Sequence, residues 1–234
     1  MIRITPQPEP TAPEFDFDQE VRQPGISALA ELVGKKPTIS RPGPRIKKRA
    51  DSIDKLDPSM LRDYAYWTRA LPSLHKIYRE VCAYSCFRIS LLHVPTVDHF
   101  VALSSARLVD AYEWGNYRLA CSLMNSCKRE FPDVLDPFSI DDGWFTLDLN
   151  TLDVKPADGL AVVVHQRVVS TIARLKLNGE CKLERERYFN LYWAPDFGSH
   201  VPLSFLEKEA PFLVREMRRQ GRVRPEDDKR SPLP

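Results

Sequence analysis

The stretch VPTVDHFVALSSARLVDAYEWGNYRLACSLMNSCK, residues 94–128, decides how this chain is read. Val94 to Phe100 has the pattern of a strand ending in Asp98 and His99, a loop follows, and Tyr117 to Arg129 has the pattern of a helix bearing Asn125. Such a strand, loop and helix bring the Asp98 carboxylate and the Asn125 side-chain oxygen onto one divalent ion. Carboxylate and amide oxygens suit Mg²⁺, a hard cation that keeps several waters and takes phosphate oxygens as further ligands. His99, next in the chain, points to the opposite face of the strand and is free to act as a base on a water. One metal and one base suffice to hydrolyse a phosphodiester.

Outward from this segment the chain is an ordinary globular sequence with unusual ends. Its 234 residues are 43% hydrophobic and 28% charged, enough for one sizeable core, while 20 Pro against 9 Gly require long stretches outside regular structure. Nine of the prolines fall in the first 60 residues, which also hold KKPTISRPGPRIKKR, residues 35–49, with seven basic residues and no acidic one. This run reads either as a solvated linker or as an electrostatic arm for a polyanion backbone, with Lys47, Lys48 and Arg49 as contacts. A formal net charge of only +2 confines any such attraction to a patch. A short helix is expected near Ile26 to Val33, and helical turns from Ser59 to Val81 interrupted near Pro72. Trp144 to Leu149 reads as a strand with Leu152 to Lys155 as its partner. Helices follow at Gly159 to Leu177, Glu180 to Tyr192 and Phe205 to Arg219. The last carries Arg215, Arg218 and Arg219, which with Arg222 and Arg224 either clamp nucleic acid or solvate a helix end. No apolar run approaches the ~18–20 residues of a membrane span. The start, MIRITPQPEP, lacks a secretory apolar region, and five cysteines cannot all pair within one chain, so a cytoplasmic protein is expected.

The central segment resembles the HNH (ββα-metal) endonuclease superfamily, and within it a bacterial branch reading DHF…YxWxN…C…N…K…LDP. The matching residues are Asp98, His99 and Phe100; Tyr112, Trp114 and Asn116; Leu119, Cys121, Asn125 and Lys128; and Leu135, Asp136 and Pro137. The step of nine residues from Asn116 to Asn125 also fits, and the stretch from Leu175 to Tyr188 looks like the helical tail of the same branch. By this resemblance His99 is the general base, Asp98 and Asn125 hold Mg²⁺ or Mn²⁺, and Asn116 braces the loop through backbone hydrogen bonds. Arg118 and Lys128, on the same expected helix as Asn125, are candidate phosphate contacts. The resemblance implies an α+β fold: a ββα core at 82–138, a helical extension at 159–224 within a domain spanning 59–224, a Pro-rich, partly disordered basic arm at 1–58 and a disordered tail at 225–234. It implies cleavage of DNA in a bacterial defence or mobile-element setting, with an ATPase as a possible partner protein. The alternative is a non-catalytic nucleic-acid-binding or scaffold protein on the same fold.

The chain departs from the family pattern at three places, one of them Cys127, which stands where a basic residue is more usual. The Pro usual after the His is replaced by the run Phe100-Val101-Ala102-Leu103. Where the family has two CxxC pairs on a structural zinc, this chain has Cys82, Cys86 and Cys121 with Met124 at the fourth place. A thioether is a poor zinc ligand. These cysteines therefore read as small buried hydrophobes, with a zinc site completed by Cys127 or His93 as the alternative.

Overall fold

A computed structural model of the chain describes residues 1–40, 44–90, 94–105, 107–193 and 200–227. It is a mixed α and β structure whose sheets are all two-stranded and antiparallel among the described residues, in keeping with an α+β class. The chain divides into two compact units: Pro6–Glu80 with Ser90–Asn125, termed here the hairpin unit, and Met1–Thr5 with Val81–Ile89 and Ser126–Pro234, the helical unit. This division cuts across the expected boundaries at 58 and 224, because residues 6–58 are built into the same unit as the central segment.

The hairpin unit opens with β1 (Thr11–Ala12) and β2 (Phe15–Asp16), then a π turn at Asp18–Arg22 that feeds α1 (Gln23–Leu32). Pro24 sits in the first turn of α1, where its missing N–H costs nothing. Phe17, Val21, Ala28, Leu29 and Leu32 are buried, and Phe17 meets Trp114 and Tyr117 edge-on at ring-centroid distances of 5.4 and 5.6 Å. Short 3-10 turns at Pro58–Tyr64 and Tyr66–Ala70 lead to α2 (Leu71–Ile77). Pro72, expected as an interruption, lies in the first turn of α2 and opens it.

The decisive element is the antiparallel pair β3 (Pro95–His99) and β4 (Tyr117–Cys121), with His99 opposite Tyr117, Asp98 opposite Arg118, and Pro95 opposite Cys121. Two 3-10 turns, Leu108–Tyr112 and Trp114–Asn116, lie between the strands. The expected helix over Tyr117 to Arg129 is thus half strand, and α3 (Ser122–Lys128) begins only after it. Leu119 and Ala120 favour helix locally, but pairing with β3 satisfies the backbone and buries Tyr117, Leu119 and Ala120, so tertiary context overrides propensity.

In the helical unit β5 (Phe145–Leu147) pairs with β6 (Val154–Pro156), close to the expected hairpin. Next come α4 (Val162–Arg174) and α5 (Glu180–Trp193), with Val168, Leu175, Leu177, Tyr188 and Tyr192 buried. The single last helix of the sequence reading is two, α6 (Leu203–Glu209) and α7 (Pro211–Arg219). Pro211 disfavours helical geometry at Ala210, which takes φ −142° and ψ 60°. The expected tail contains a 3-10 turn at Pro225–Asp227, tied back by the Tyr192 hydroxyl and Arg224 donating to Asp227; residues 228–234 lie outside the described residues. No helix among the described residues is long and apolar enough to cross a membrane.

Candidate functional site

Strand alternation sorts the central residues onto two faces of the β3–β4 hairpin. Thr96 and Asp98 share one face with their partners Ala120 and Arg118, while His99 shares the other with Tyr117. The Thr96 hydroxyl donates to the Ala120 carbonyl at 2.9 Å, so its oxygen is left to accept, and it accepts from the Asn125 side-chain N–H at 3.1 Å. That pair of bonds orients the Asn125 amide. Its Nδ2 is held on β3 two residues before Asp98, and its Oδ1 accepts no hydrogen bond among the described residues. Asn125 therefore joins Asp98 at one face of the strand.

On the opposite face the His99 ring is fixed from three sides. Nε2 lies 3.0 Å from the Ala111 carbonyl, which also accepts the Tyr117 hydroxyl at 2.6 Å. A carbonyl can only accept, so Nε2 carries the proton and, in the neutral ring, Nδ1 keeps the lone pair. The rings of Trp67 and Tyr117 meet His99 edge-on, with centroids at 4.9 and 5.2 Å. Trp67 stands in the 3-10 turn Tyr66–Ala70. The Tyr117 hydroxyl is itself held protonated: burial pushes its pKa well above the usual phenol range.

Asn116 closes the loop that joins the two strands. Its Nδ2 donates to the carbonyls of Val101 (3.1 Å) and Asp110 (3.2 Å), its Oδ1 accepts from the Val101 N–H (2.8 Å), and its backbone carbonyl accepts from Phe100 (2.8 Å). One side chain thus ties the beginning of the loop to the turn that carries Ala111.

The donor set at the Asp98 face is a carboxylate and an amide oxygen, both hard ligands of the kind that hold Mg²⁺ or Mn²⁺ with water and phosphate completing the shell. These residues fit such an ion chemically. Among the described residues no group of three or more His, Cys, Asp and Glu is arranged to hold a metal, so any site here relies on the amide. Asp98 is only 3% exposed and stands directly opposite Arg118, also 3% exposed.

The other expected contacts fall elsewhere. Arg118, expected on a helix surface, is inside, donating to the carbonyls of Gly115 (2.8 Å) and Tyr117 (2.9 Å) with its guanidinium over the Phe100 ring. Lys128 is 1% exposed, in the helical unit, so neither side chain lies on an open phosphate-binding surface. Lys47, Lys48 and Arg49 are exposed and belong to the hairpin unit. Cys82 and Cys86 lie in a turn of the helical unit closed by Cys82 N–H to Phe87 and Cys86 N–H to Cys82, while Cys121 ends β4 in the hairpin unit. All five cysteines are unbridged, and burial raises the Cys86 thiol, which opposes the thiolate form that zinc takes. His93 lies outside the described residues. In the C-terminal basic cluster, Arg215 and Arg219 pair with buried Glu216, Arg218 with Glu207 and Arg224 with Asp227, so most of that charge is matched internally.

Thr96, Ala111 and Tyr117 escaped the sequence reading. Period-two alternation from Asp98 points to Thr96, but nothing in a sequence marks the carbonyl of an alanine. Compared with protein-family models, with curated proteins and with solved structures, the chain finds no match in any of the three.

Proposed function

We propose that this chain is a metal-dependent endonuclease of the ββα-metal kind, hydrolysing phosphodiester bonds in DNA with Mg²⁺ or Mn²⁺. The observation that carries the reading is the Ala111 carbonyl, which takes the proton-bearing nitrogen of His99 and so leaves Nδ1 as a base. The strand–strand–helix order of β3, β4 and α3 and the Asn116 brace support it, since both match what the sequence resemblance implies for such a site. His99 Nδ1 takes a proton from water; the water oxygen forms its bond to phosphorus as the bond to the leaving oxygen breaks, and that oxygen is protonated from solvent. Asp98 and Asn125 are the residues that would hold the cation. When bound, a divalent ion supplies charge stabilisation at the phosphate and leaving oxygen. Asn116 keeps the carbonyl under His99 in place, so the base does not need to be repositioned during reaction.

The test is nicking of supercoiled plasmid in Mg²⁺ and Mn²⁺, alone and with any ATPase encoded beside it. His99→Ala, Asp98→Ala and Asn125→Ala each abolish cleavage, and His99→Ala leaves DNA binding nearly intact because it removes the base and no phosphate contact. Cutting that survives His99→Ala means another base or a contaminating nuclease. A second reading, a nucleic-acid-binding or scaffold protein without catalysis, is favoured by one observation: buried Arg118 faces Asp98 across the hairpin and supplies a positive charge there without any metal. Wild-type protein that binds plasmid and oligonucleotides but leaves them uncut in both metals, with the partner present, selects that reading.

A further inference from the structure

The described residues of the basic run, 35–40 and 44–50, are not a free arm: they are bonded to the C-terminal half of α1 through their backbone. Lys35 N–H donates to the Ala30 carbonyl (2.9 Å), and Arg49 and Ala50 N–H to that of Leu32 (2.7 and 3.3 Å). Two buried side chains of α1 complete the attachment. The Ser27 hydroxyl oxygen accepts from Thr38 N–H at 3.1 Å, and the Glu31 carboxylate accepts from Ile46 N–H at 2.8 Å. Ser27 is fully buried and Glu31 is 4% exposed. The Glu31 carboxylate, on α1, takes the main-chain N–H of Ile46, which anchors the strap, while Lys35, Lys36, Arg45, Lys47, Lys48 and Arg49 are exposed.

Burial along the strap follows the same division. Pro37, Ile39, Ile46 and Ala50 turn partly inward, whereas Lys35, Lys36, Arg45, Lys47, Lys48 and Arg49 are exposed. Lys48 pairs with Asp51 at 2.6 Å; the other five have no acidic partner among the described residues. A solvated linker needs neither a buried anchor nor an apolar underside. A row of fixed cations with their positions already ordered lowers the entropy cost of binding a polyanion.

We propose that this strap is a preformed docking surface for the phosphate backbone of nucleic acid. The surface stands independently of hydrolysis, because it contains none of the residues assigned to the chemistry. Each Lys or Arg that neutralises a phosphate releases a counterion and adds about −0.9 to the slope of log K against log salt on duplex DNA. Five such contacts give a slope near −4.5, which corresponds to a loss of about 500-fold in affinity between 50 and 200 mM salt.

The experiment measures binding of a fluorescent 30-base-pair DNA duplex to the full chain in EDTA, so that cleavage plays no part, across that salt range. The five-fold variant K35A/K36A/R45A/K47A/R49A removes only exposed side chains, and a circular dichroism melt checks that it folds like the wild type. The expected result is a flattened salt slope and an affinity at 50 mM salt lowered at least 100-fold, with K35R/K36R/K47R keeping wild-type binding. Wild-type slope and affinity in the five-fold variant overturn the proposal. So does a wild type that ignores the duplex but binds phosphatidylserine vesicles or polyglutamate through the same residues, since the surface then serves a lipid or an acidic protein. His99→Ala binding normally while the strap variant does not separates failure here from failure of the hydrolase reading.

Discussion

Gly25 is where the packing of α1 meets the segment that holds His99, and Gly25→Ala tests whether they are coupled. A Cβ added at Gly25 would lie 2.2 Å from Cγ of Tyr112 and 2.4 Å from both Cδ atoms. Ordinary carbon contacts are ~3.5–4.0 Å, so the ring and the helix must separate by about 1.3–1.8 Å. The ring has little room to yield. Its hydroxyl donates to the Tyr64 carbonyl at 3.0 Å, and Trp67 and Tyr66 pack near it at centroid distances of 6.0 and 6.3 Å. Tyr112 follows Ala111 in the chain, so displacing it moves the carbonyl that holds His99. Two effects compete. Ala for Gly inside a helix stabilises by about 1 kcal/mol, while overpacking a filled core costs ~1–3 kcal/mol and sometimes more. With an overlap this large the second wins, and a net loss of about 2 kcal/mol corresponds to a melting temperature lower by about 4–8 °C for a chain of this length. Misplacing a base by about 1 Å costs on the order of 100-fold in rate, so plasmid nicking falls by that order at temperatures where the variant is still folded. Calorimetry and a nicking time course at 20 °C measure both. A variant that melts higher than wild type, or that nicks at wild-type rate while melting lower, refutes the coupling of α1 to His99.

Three further outcomes follow from particular contacts. Asn116→Ala removes both Nδ2 donations and one acceptance in the loop, so cleavage falls at least 10-fold with KM little changed, and hydrogen exchange of Val101 N–H speeds up. Arg185 is 2% exposed and donates to the carbonyls of Leu152 (2.9 Å) and Leu177 (2.8 Å); Arg185→Met leaves both without their donor and lowers stability in urea by ~2–5 kcal/mol, whereas an unchanged midpoint shows the bonds to be dispensable. Burial pushes the Cys181 thiol from 9.0 up to about 12, partly opposed by the Arg185 guanidinium; because the fold favours the protonated thiol, the stability it contributes is present below pH 9 and is lost between about pH 9 and 12. Wild type therefore loses more stability than Cys181→Ala between pH 8 and 11 in paired urea melts, and parallel curves refute the assignment.

The strand, the loop and the helix bearing Asn125 were legible because Asp98, His99, Asn116 and Asn125 sit at informative spacings and Val94 to Phe100 alternates. The boundary inside Tyr117 to Arg129 was not legible. YRLAC supports a helix as well as a strand until β3 is known to lie beside it, and pairing is a property of two segments. That error carried Arg118 with it: on a helix it reads as a surface cation, and on β4 its side chain turns inward opposite Asp98. Residues 35–49 show the same limitation from the other side. Their charge was plain, but the anchors are Ser27 and Glu31, ordinary residues on an expected helix whose buried oxygens acquire meaning only when the strap folds against them.

What the hairpin adds to its residues is a register. Asp98 and His99 are neighbours on opposite faces of β3, and a slip of one residue against β4 would exchange those faces. The register is pinned at both ends by bonds outside the ladder. At the closed end Phe100 N–H continues the pairing onto the Asn116 carbonyl, and the Tyr117 hydroxyl reaches the same Ala111 carbonyl as His99. At the open end Thr96 bonds Ala120 across the pair and Asn125 on α3. Breaking either end alone leaves the other to hold the pairing, so single substitutions at Thr96 or Tyr117 disturb a side chain before they disturb the register. The two faces then differ in what they hold. The His99 face is aromatic and presents an imidazole held in one tautomer by the Ala111 carbonyl, while the Asp98 face is polar and combines a carboxylate, an oriented amide and a buried guanidinium. In the proposed hydrolase Arg118 and a divalent cation would both be positive and would compete for Asp98, while Arg118 also donates to the carbonyls of Gly115 and Tyr117, which flank Asn116.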